Sequence, residues 1–117
     1  MTIDVKEKLL QFPVKIKTTE LEMMKLTEEL SQNVKVYSQI EYDIKSDIGL
    51  NLNFKNDAQR KGAYELRLKD NKQYQELVDK CRVSHNEIRR HEIEIRYLHN
   101  MFQAYLTIAK VSEDMSI

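Results

Sequence analysis

The chain has 117 residues, of which 32% are charged and 41% hydrophobic, but it contains only two glycines, one proline and no tryptophan. So few turn-forming residues do not serve the many corners of a β-sandwich or barrel, and the composition predicts an all-α protein with long helices. Lys plus Arg and Asp plus Glu are 19 each. This zero net charge argues against a general electrostatic attraction to nucleic acid or to an anionic membrane.

The N-terminal segment, residues 1–18, is predicted to be an irregular or briefly helical lead-in, because Pro13 either ends a helix or starts a new one. Its start has no apolar core of signal-peptide length. No run in the chain approaches the roughly 20 apolar residues of a membrane span. The sequence therefore favours a cytoplasmic protein with no membrane partner.

A first long helix is predicted over residues 19–48, since Thr19 and Glu22 have the spacing of a capping box. Apolar side chains then recur every three or four residues, which is the mark of one stripe on an amphipathic helix. The stripe consists of Met23, Leu26, Leu30, Val34, Tyr37, Ile40, Ile44 and Ile48. Gly49 is expected to end this helix in the left-handed conformation.

Residues 49–56 are predicted to form a short extended connector with one buried side, because apolar and polar residues alternate from Leu50 to Phe54. Asn56 or Asp57 then caps a short helix over residues 57–69. Asn71 marks an expected kink or restart of the helix.

The last helix, predicted over residues 71–111, has the most regular pattern in the chain. Apolar or small residues follow alternating steps of three and four, as in the a and d positions of a coiled-coil seam. The seam consists of Tyr74, Leu77, Cys81, Ser84, Ile88, His91, Ile95, Leu98, Phe102, Tyr105 and Ala109. Residues 112–117 are expected to be a frayed tail.

Two long amphipathic helices with a short connector bury their stripes most simply against each other, so we predict a single domain that forms an elongated antiparallel helical hairpin or coiled coil. One such seam hardly outweighs the ordering entropy of so many residues. We therefore expect the seam to serve as an oligomer interface as well, in a homo-oligomeric helical bundle or in a core completed by a protein partner.

The chemistry-bearing residues do not form an enzyme or metal motif. His85, His91 and His99 are six and eight residues apart, whereas a helical metal pair needs a spacing of three or four. Ser84 and His91 lie about 10 Å apart along a helix, too far for a nucleophile and its base. The single cysteine, Cys81, excludes an intrachain disulfide. We expect no catalytic residues, no metal and no cofactor.

Ser84 and His91 are nevertheless unusual, because they occupy consecutive d positions of an otherwise apolar seam. One interpretation is a partly hydrated layer that fixes the register of the helices. The alternative is a polar pocket or a proton switch.

Cations and aromatic residues alternate near the connector end of the predicted hairpin. Arginine and tyrosine planes can stack on nucleic-acid bases while lysine neutralises phosphate. The candidate nucleic-acid-binding residues are Arg60, Lys61, Tyr64, Arg67, Lys69 and Lys72. Asp57, Glu65 and Asp70 dilute this positive charge.

The segment from Asn56 to Leu68, followed by Asp70, Tyr74, Leu77 and a Glu/Arg-rich helix that ends in Leu98 and Phe102, resembles small helical proteins encoded by phages and prophages of Gram-positive bacteria. Some of these proteins are encoded near single-strand annealing and recombination genes. The resemblance covers roughly residues 52–106. It implies an accessory role in phage DNA metabolism or the binding of a host protein, and a location in the host cytoplasm.

The sequence thus favours a non-enzymatic coiled-coil interaction or assembly protein that acts through protein contacts. A nucleic-acid-binding accessory protein in phage recombination or replication is the first alternative. An inhibitor of a host protein is the second.

Overall fold

The computed structural model describes residues 3–115, and these residues form three helices and no strand. Helix α1 spans Ile3–Leu50, α2 spans Asp57–Asp70 and α3 spans Lys72–Met115. The all-α prediction is therefore confirmed. The chain divides into two compact units, which we name the terminal unit (Met1–Thr27 with Asn86–Ile117) and the central unit (Glu28–His85).

In the terminal unit, the first part of α1 packs against the last part of α3. Phe12, Ile16 and Leu98 are buried together, and Phe102 and Tyr105 pack around them. The Phe12 ring centroid lies 6.2 Å from that of Phe102 and 5.4 Å from that of Tyr105. Because Glu22, later in α1, contacts His91, earlier in α3, the two segments run antiparallel.

The predicted lead-in over residues 1–18 is wrong in this structure, because α1 is continuous through Pro13. Pro13 removes one helical hydrogen bond, at a cost of about 3 kcal/mol. Burial of Phe12 and Ile16 on the neighbouring face offsets this cost, since each buried side chain contributes about 1.5–3 kcal/mol. Thr19 is accordingly not a cap but a helical residue whose hydroxyl donates to the carbonyl of Lys15 at 2.9 Å.

In the central unit, α2 and the start of α3 pack along the second half of α1. Asn56 caps α2 by accepting a hydrogen bond from the Gln59 amide at 2.8 Å, as predicted. Asn71 separates α2 from α3, and its side chain accepts from the Tyr74 amide at 2.9 Å. The expected restart at Asn71 is therefore confirmed.

The connector is a turn rather than the extended segment we predicted. The amide of Asn51 donates to the Ile48 carbonyl at 3.1 Å, and the Asn51 side chain accepts from the Asn53 amide at 2.9 Å. Leu52 is 96% exposed, so the alternating pattern here does not mark a buried side. Gly49 is the penultimate residue of α1 and does not have a positive φ angle, because the turn at Asn51 ends the helix instead.

The two apolar stripes are placed as their periodicity predicts. All eight stripe positions of α1 and all eleven seam positions of α3 are buried or half-buried within the single chain. The last helix extends to Met115, beyond the predicted end at residue 111. Of the predicted frayed tail, residues 116–117 lie outside the described residues.

Candidate interaction surfaces

Three tyrosines surround one carboxylate in the central unit. The Tyr74 hydroxyl donates to Oε2 of Glu41 at 3.2 Å. The ring of Tyr37 stacks edge-on against Tyr74 at 5.9 Å between centroids. Tyr64 also faces Glu41. We name Tyr37, Glu41, Tyr64 and Tyr74 the tyrosine cluster.

The electrostatics of the tyrosine cluster favour neutral phenols. Partial burial, the charge of Glu41 and its hydrogen bond together raise the pKa of Tyr74 to about 12, and partial burial is the largest cause. The same three causes raise the pKa of Tyr64. Both phenols therefore remain hydrogen-bond donors at neutral pH, and the cluster holds α1 against α2 and α3 rather than supplying a base or nucleophile.

Beside the cluster, a pocket of about 510 Å³ lies between the end of α1 and the start of α2. Its lining includes three of the cationic side chains in this unit, Lys45, Arg60 and Lys61, together with Tyr64. Asp57 and Glu65 also line it. The pocket thus brings together three of the six predicted nucleic-acid-binding residues, mixed with carboxylates.

The two arginines of that predicted set are ion-paired within the chain. Arg60 contacts Asp57 at 3.0 Å, and Arg67 contacts Asp47. Lys61, Lys69 and Lys72 are exposed. Since a paired arginine offers less net charge to a phosphate, this geometry weakens the basic character that the sequence suggested.

The polar seam positions have different environments. Ser84 is buried, with 9% of its surface exposed. His91 is half-buried, and its Nε2 lies 3.4 Å from Oε2 of Glu22. Among the described residues, no buried side-chain nitrogen or oxygen lacks a hydrogen-bond partner. The seam therefore accommodates both polar residues without leaving a buried polar atom unpaired.

The single cysteine of the chain, Cys81, lies in the seam of α3. Cys81 is buried, and burial raises the pKa of its thiol, which disfavours the reactive thiolate. Within residues 3–115, no group of three or more His, Cys, Asp or Glu side chains could hold a metal ion. No helix in the same range is long and apolar enough to cross a membrane.

The terminal unit also carries an apolar surface that faces away from its core and that was not predicted from the sequence. On α1, Leu10, Val14, Leu21 and Met24 are 53–68% exposed, and we name these four residues the α1 outer face. On α3, a second stripe is also exposed, and we name it the α3 outer face. It consists of Ile93, Tyr97, Ala104, Ile108 and Val111.

The signal for the α3 outer face was present in the sequence. With Met101, which is half-buried, these residues follow steps of 4, 4, 3, 4 and 3, the same periodicity as the seam itself. A helix with two such stripes has the pattern expected for contact with two neighbouring helices rather than one.

Comparisons with protein families, with curated proteins and with solved structures found no match for this chain. The conclusions about function therefore depend on the surfaces described above.

Proposed function

We propose that this chain is a non-enzymatic helical interaction protein that acts through contacts with other protein surfaces. The observation that carries the proposal is the pair of outer faces in the terminal unit. The large apolar side chains of these faces are 48–68% exposed and recur at helical steps, and the small Ala104 is exposed with them. The other apolar stripes of α1 and α3 are already buried or half-buried within the chain. Exposed apolar residues that recur along one side of a helix are typical of interaction sites, whereas isolated exposed apolar residues are ordinary.

The proposal is tested by photo-crosslinking in the cells that produce the protein. A photoreactive residue replaces Leu21 or Tyr97, one at a time, and exposed Asp79 of the central unit is the matched control position. We expect nuclease-resistant covalent protein adducts from positions 21 and 97, and few from 79. Equal yields of protein adducts at all three positions would contradict the proposal.

A second candidate function, the binding of single-stranded nucleic acid, is favoured by the pocket at the end of α1. Lys45, Lys61 and Tyr64 line it together, so cations and an aromatic ring share one concave surface. Replacement of Lys45 and Lys61 by Glu should abolish a gel shift with single-stranded DNA. Replacement of Lys15 and Lys35 by Glu is the charge-matched control, since both are exposed and neither lines the pocket, and it should not abolish the shift. The shift should also weaken steeply with salt.

The phage resemblance and the inhibition of a host protein remain predictions. A host enzyme among the crosslinked adducts, inhibited by the purified chain, would support the inhibitor alternative. Adducts containing only this chain would support an assembly role.

A further inference from the structure

Each outer face lies on the side of its helix that points away from the core of the terminal unit. At about 100° per residue, each face is centred roughly 140–150° from the core-facing residues of its own helix. When the antiparallel pair is viewed along its axis, the outer face of α1 and the outer face of α3 are both rotated in the same direction from the core-facing side of their helix. Because Phe12 on α1 faces Leu98 on α3, these rotations direct the two outer faces to roughly opposite sides of the unit.

The spacings of the two faces match when the helices are antiparallel. Placing Leu10 opposite Ile108 brings Val14 opposite Ala104 and Leu21 opposite Tyr97, because steps of four and seven along α1 equal the steps back along α3. Met24 then comes within one residue of Ile93.

This register is also close to the one inside the unit. Phe12 lies against Phe102 and Tyr105 there, four residues and one residue from position 106, which the outer-face register places opposite it. Glu22 likewise contacts His91, five residues from the corresponding position 96. A second copy displaced sideways in the same orientation, and shifted by about one helical turn along the axis, therefore presents its α3 to α1 in the required direction and register.

Charges on the edges of the outer faces are complementary in the same register. Lys25 of one copy comes beside Glu94 of the next along one edge. Along the other edge, Glu20 comes near Arg96. All four side chains are exposed in the single chain, so they are accessible to a neighbour.

We propose that the partner at these faces is a second copy of this chain, with the α1 outer face of one copy packed against the α3 outer face of the next. This inference rests on the proposed function and names its partner. The contact is heterologous, so every added copy presents a fresh α1 face or α3 face, and assembly continues until a ring closes or a row extends.

The available area favours a weak contact that depends on concentration. The large apolar side chains of the two faces expose roughly 100 Å² each, so one contact buries on the order of 800 Å² of apolar surface from both copies together. Since apolar atoms make up a little over half of a typical interface, the whole contact buries at most about 1,400 Å², which is at the lower end of specific interfaces. A copy inside the row makes two such contacts.

A symmetric contact between two identical α1 faces is less favourable. Antiparallel pairing of Leu10 with Met24 and Val14 with Leu21 would bring Lys17 against Lys17 of the other copy. Two like charges in the middle of an apolar contact are destabilising. The heterologous contact avoids this repulsion and covers both faces.

The decisive experiment mixes two variants, each with one damaged face. Leu21→Glu places a charge in the α1 outer face, and Tyr97→Glu places a charge in the α3 outer face. Both positions are exposed, so we expect both variants to keep the fold, which circular dichroism checks. By sedimentation at about 100 µM, wild type should exceed a dimer, while each variant alone should weaken association at least about tenfold. An equimolar mixture should form a 1:1 dimer, twice the chain mass of 14.0 kDa.

Reversing the charge pair provides an independent test of register. Lys25→Glu or Glu94→Lys alone should weaken assembly, because every contact then joins two like charges. An equimolar mixture of the two variants should restore assembly beyond a dimer, with the two variants alternating, because each contact again pairs a lysine with a glutamate. A monomeric wild type, or two damaged variants that gain nothing on mixing, would overturn the inference. Crosslinks from positions 21 and 97 to other proteins but never to this chain would overturn it too, while the proposed function would stand.

Discussion

The terminal unit and the central unit carry the same seam periodicity but fill it with different chemistry. In the terminal unit, Phe12, Ile16 and Leu98 form an apolar cluster. In the central unit, the interhelical contacts include a carboxylate, Glu41, that accepts from Tyr74. A shared heptad pattern therefore does not imply the same packing chemistry: the central unit also buries Ile48 and Cys81, but it adds an interhelical hydrogen bond and the helix caps at Asn56 and Asn71.

The largest expected effect comes from truncating the apolar core of the terminal unit. Phe12→Ala should lower the free energy of unfolding by about 3–5 kcal/mol, because it removes a buried ring and leaves a cavity. Leu52→Ala is the control, since Leu52 is 96% exposed, and it should change stability by less than about 0.5 kcal/mol. Urea denaturation measures both. Equal effects of the two substitutions would mean that the terminal unit does not depend on its apolar cluster.

A smaller effect on stability, of opposite sign, is expected at His91, a polar residue in the seam of the terminal unit. His91→Leu should raise stability by about 1 kcal/mol, because it adds apolar burial to a half-buried seam position. The lost pair with Glu22, which is 62% exposed, contributes at most about 1 kcal/mol. Thermal melts should show an increase of about 4 °C. A lower melting temperature, shared by a His91→Gln control, would show that the imidazole stabilises the seam.

The tyrosine cluster should show a comparable effect that depends on pH. Tyr74→Phe removes the hydrogen bond to Glu41 and should cost about 1 kcal/mol at neutral pH. Folding raises the pKa of Tyr74 from 10.0 to about 12, so the folded state holds this proton more tightly than the unfolded state. The stability that Tyr74 contributes is therefore complete below pH 10 and is lost as the pH rises towards 12.

The measurement is the difference in unfolding free energy between wild type and Tyr74→Phe as a function of pH. That difference should be constant below pH 10 and should shrink between pH 10 and 12. A difference that remained constant over the whole range would mean that the phenol does not ionise differently in the two states.

The smallest effect is expected from the ion pair between Arg67 and Asp47 in the central unit. Arg67→Gln should change stability by less than about 1 kcal/mol, since the Asp47 side chain is 70% exposed and water screens the pair. The change should disappear in high salt. A large effect that salt does not alter would show that Arg67 acts through packing of its aliphatic stem.

Much of the fold could be predicted because apolar residues at steps of three and four lie along one side of a helix, where a neighbouring helix can cover them. The predicted burial of the α1 stripe and of the α3 seam was confirmed, because the residues at these regular steps face the core. The predicted start of the first long helix at residue 19 was wrong. Proline disfavours the interior of a helix, but burial of Phe12 and Ile16 outweighs the cost of Pro13. The prediction of an extended connector with one buried side was wrong, because Leu50 at the end of α1 and Leu52 in the turn are 83% and 96% exposed.

The tyrosine cluster was beyond prediction from sequence because its members are distant in the chain. Glu41 and Tyr74 are separated by 33 residues, and only the packing of α1 against α3 brings them together. The α3 outer face, in contrast, was visible in the spacing from Ile93 to Val111. It was not predicted because the seam alone already explains how α3 packs, so a second stripe on the same helix was not considered.

The buried thiol of Cys81 makes the protein its own reporter of local opening. Only 5% of this residue is exposed, and it is the single cysteine of the chain. A thiol reagent can therefore react only when the surrounding helices separate, so the labelling rate measures how often the central unit opens. The same measurement, made with and without assembly partners, would reveal whether binding at the outer faces slows these fluctuations.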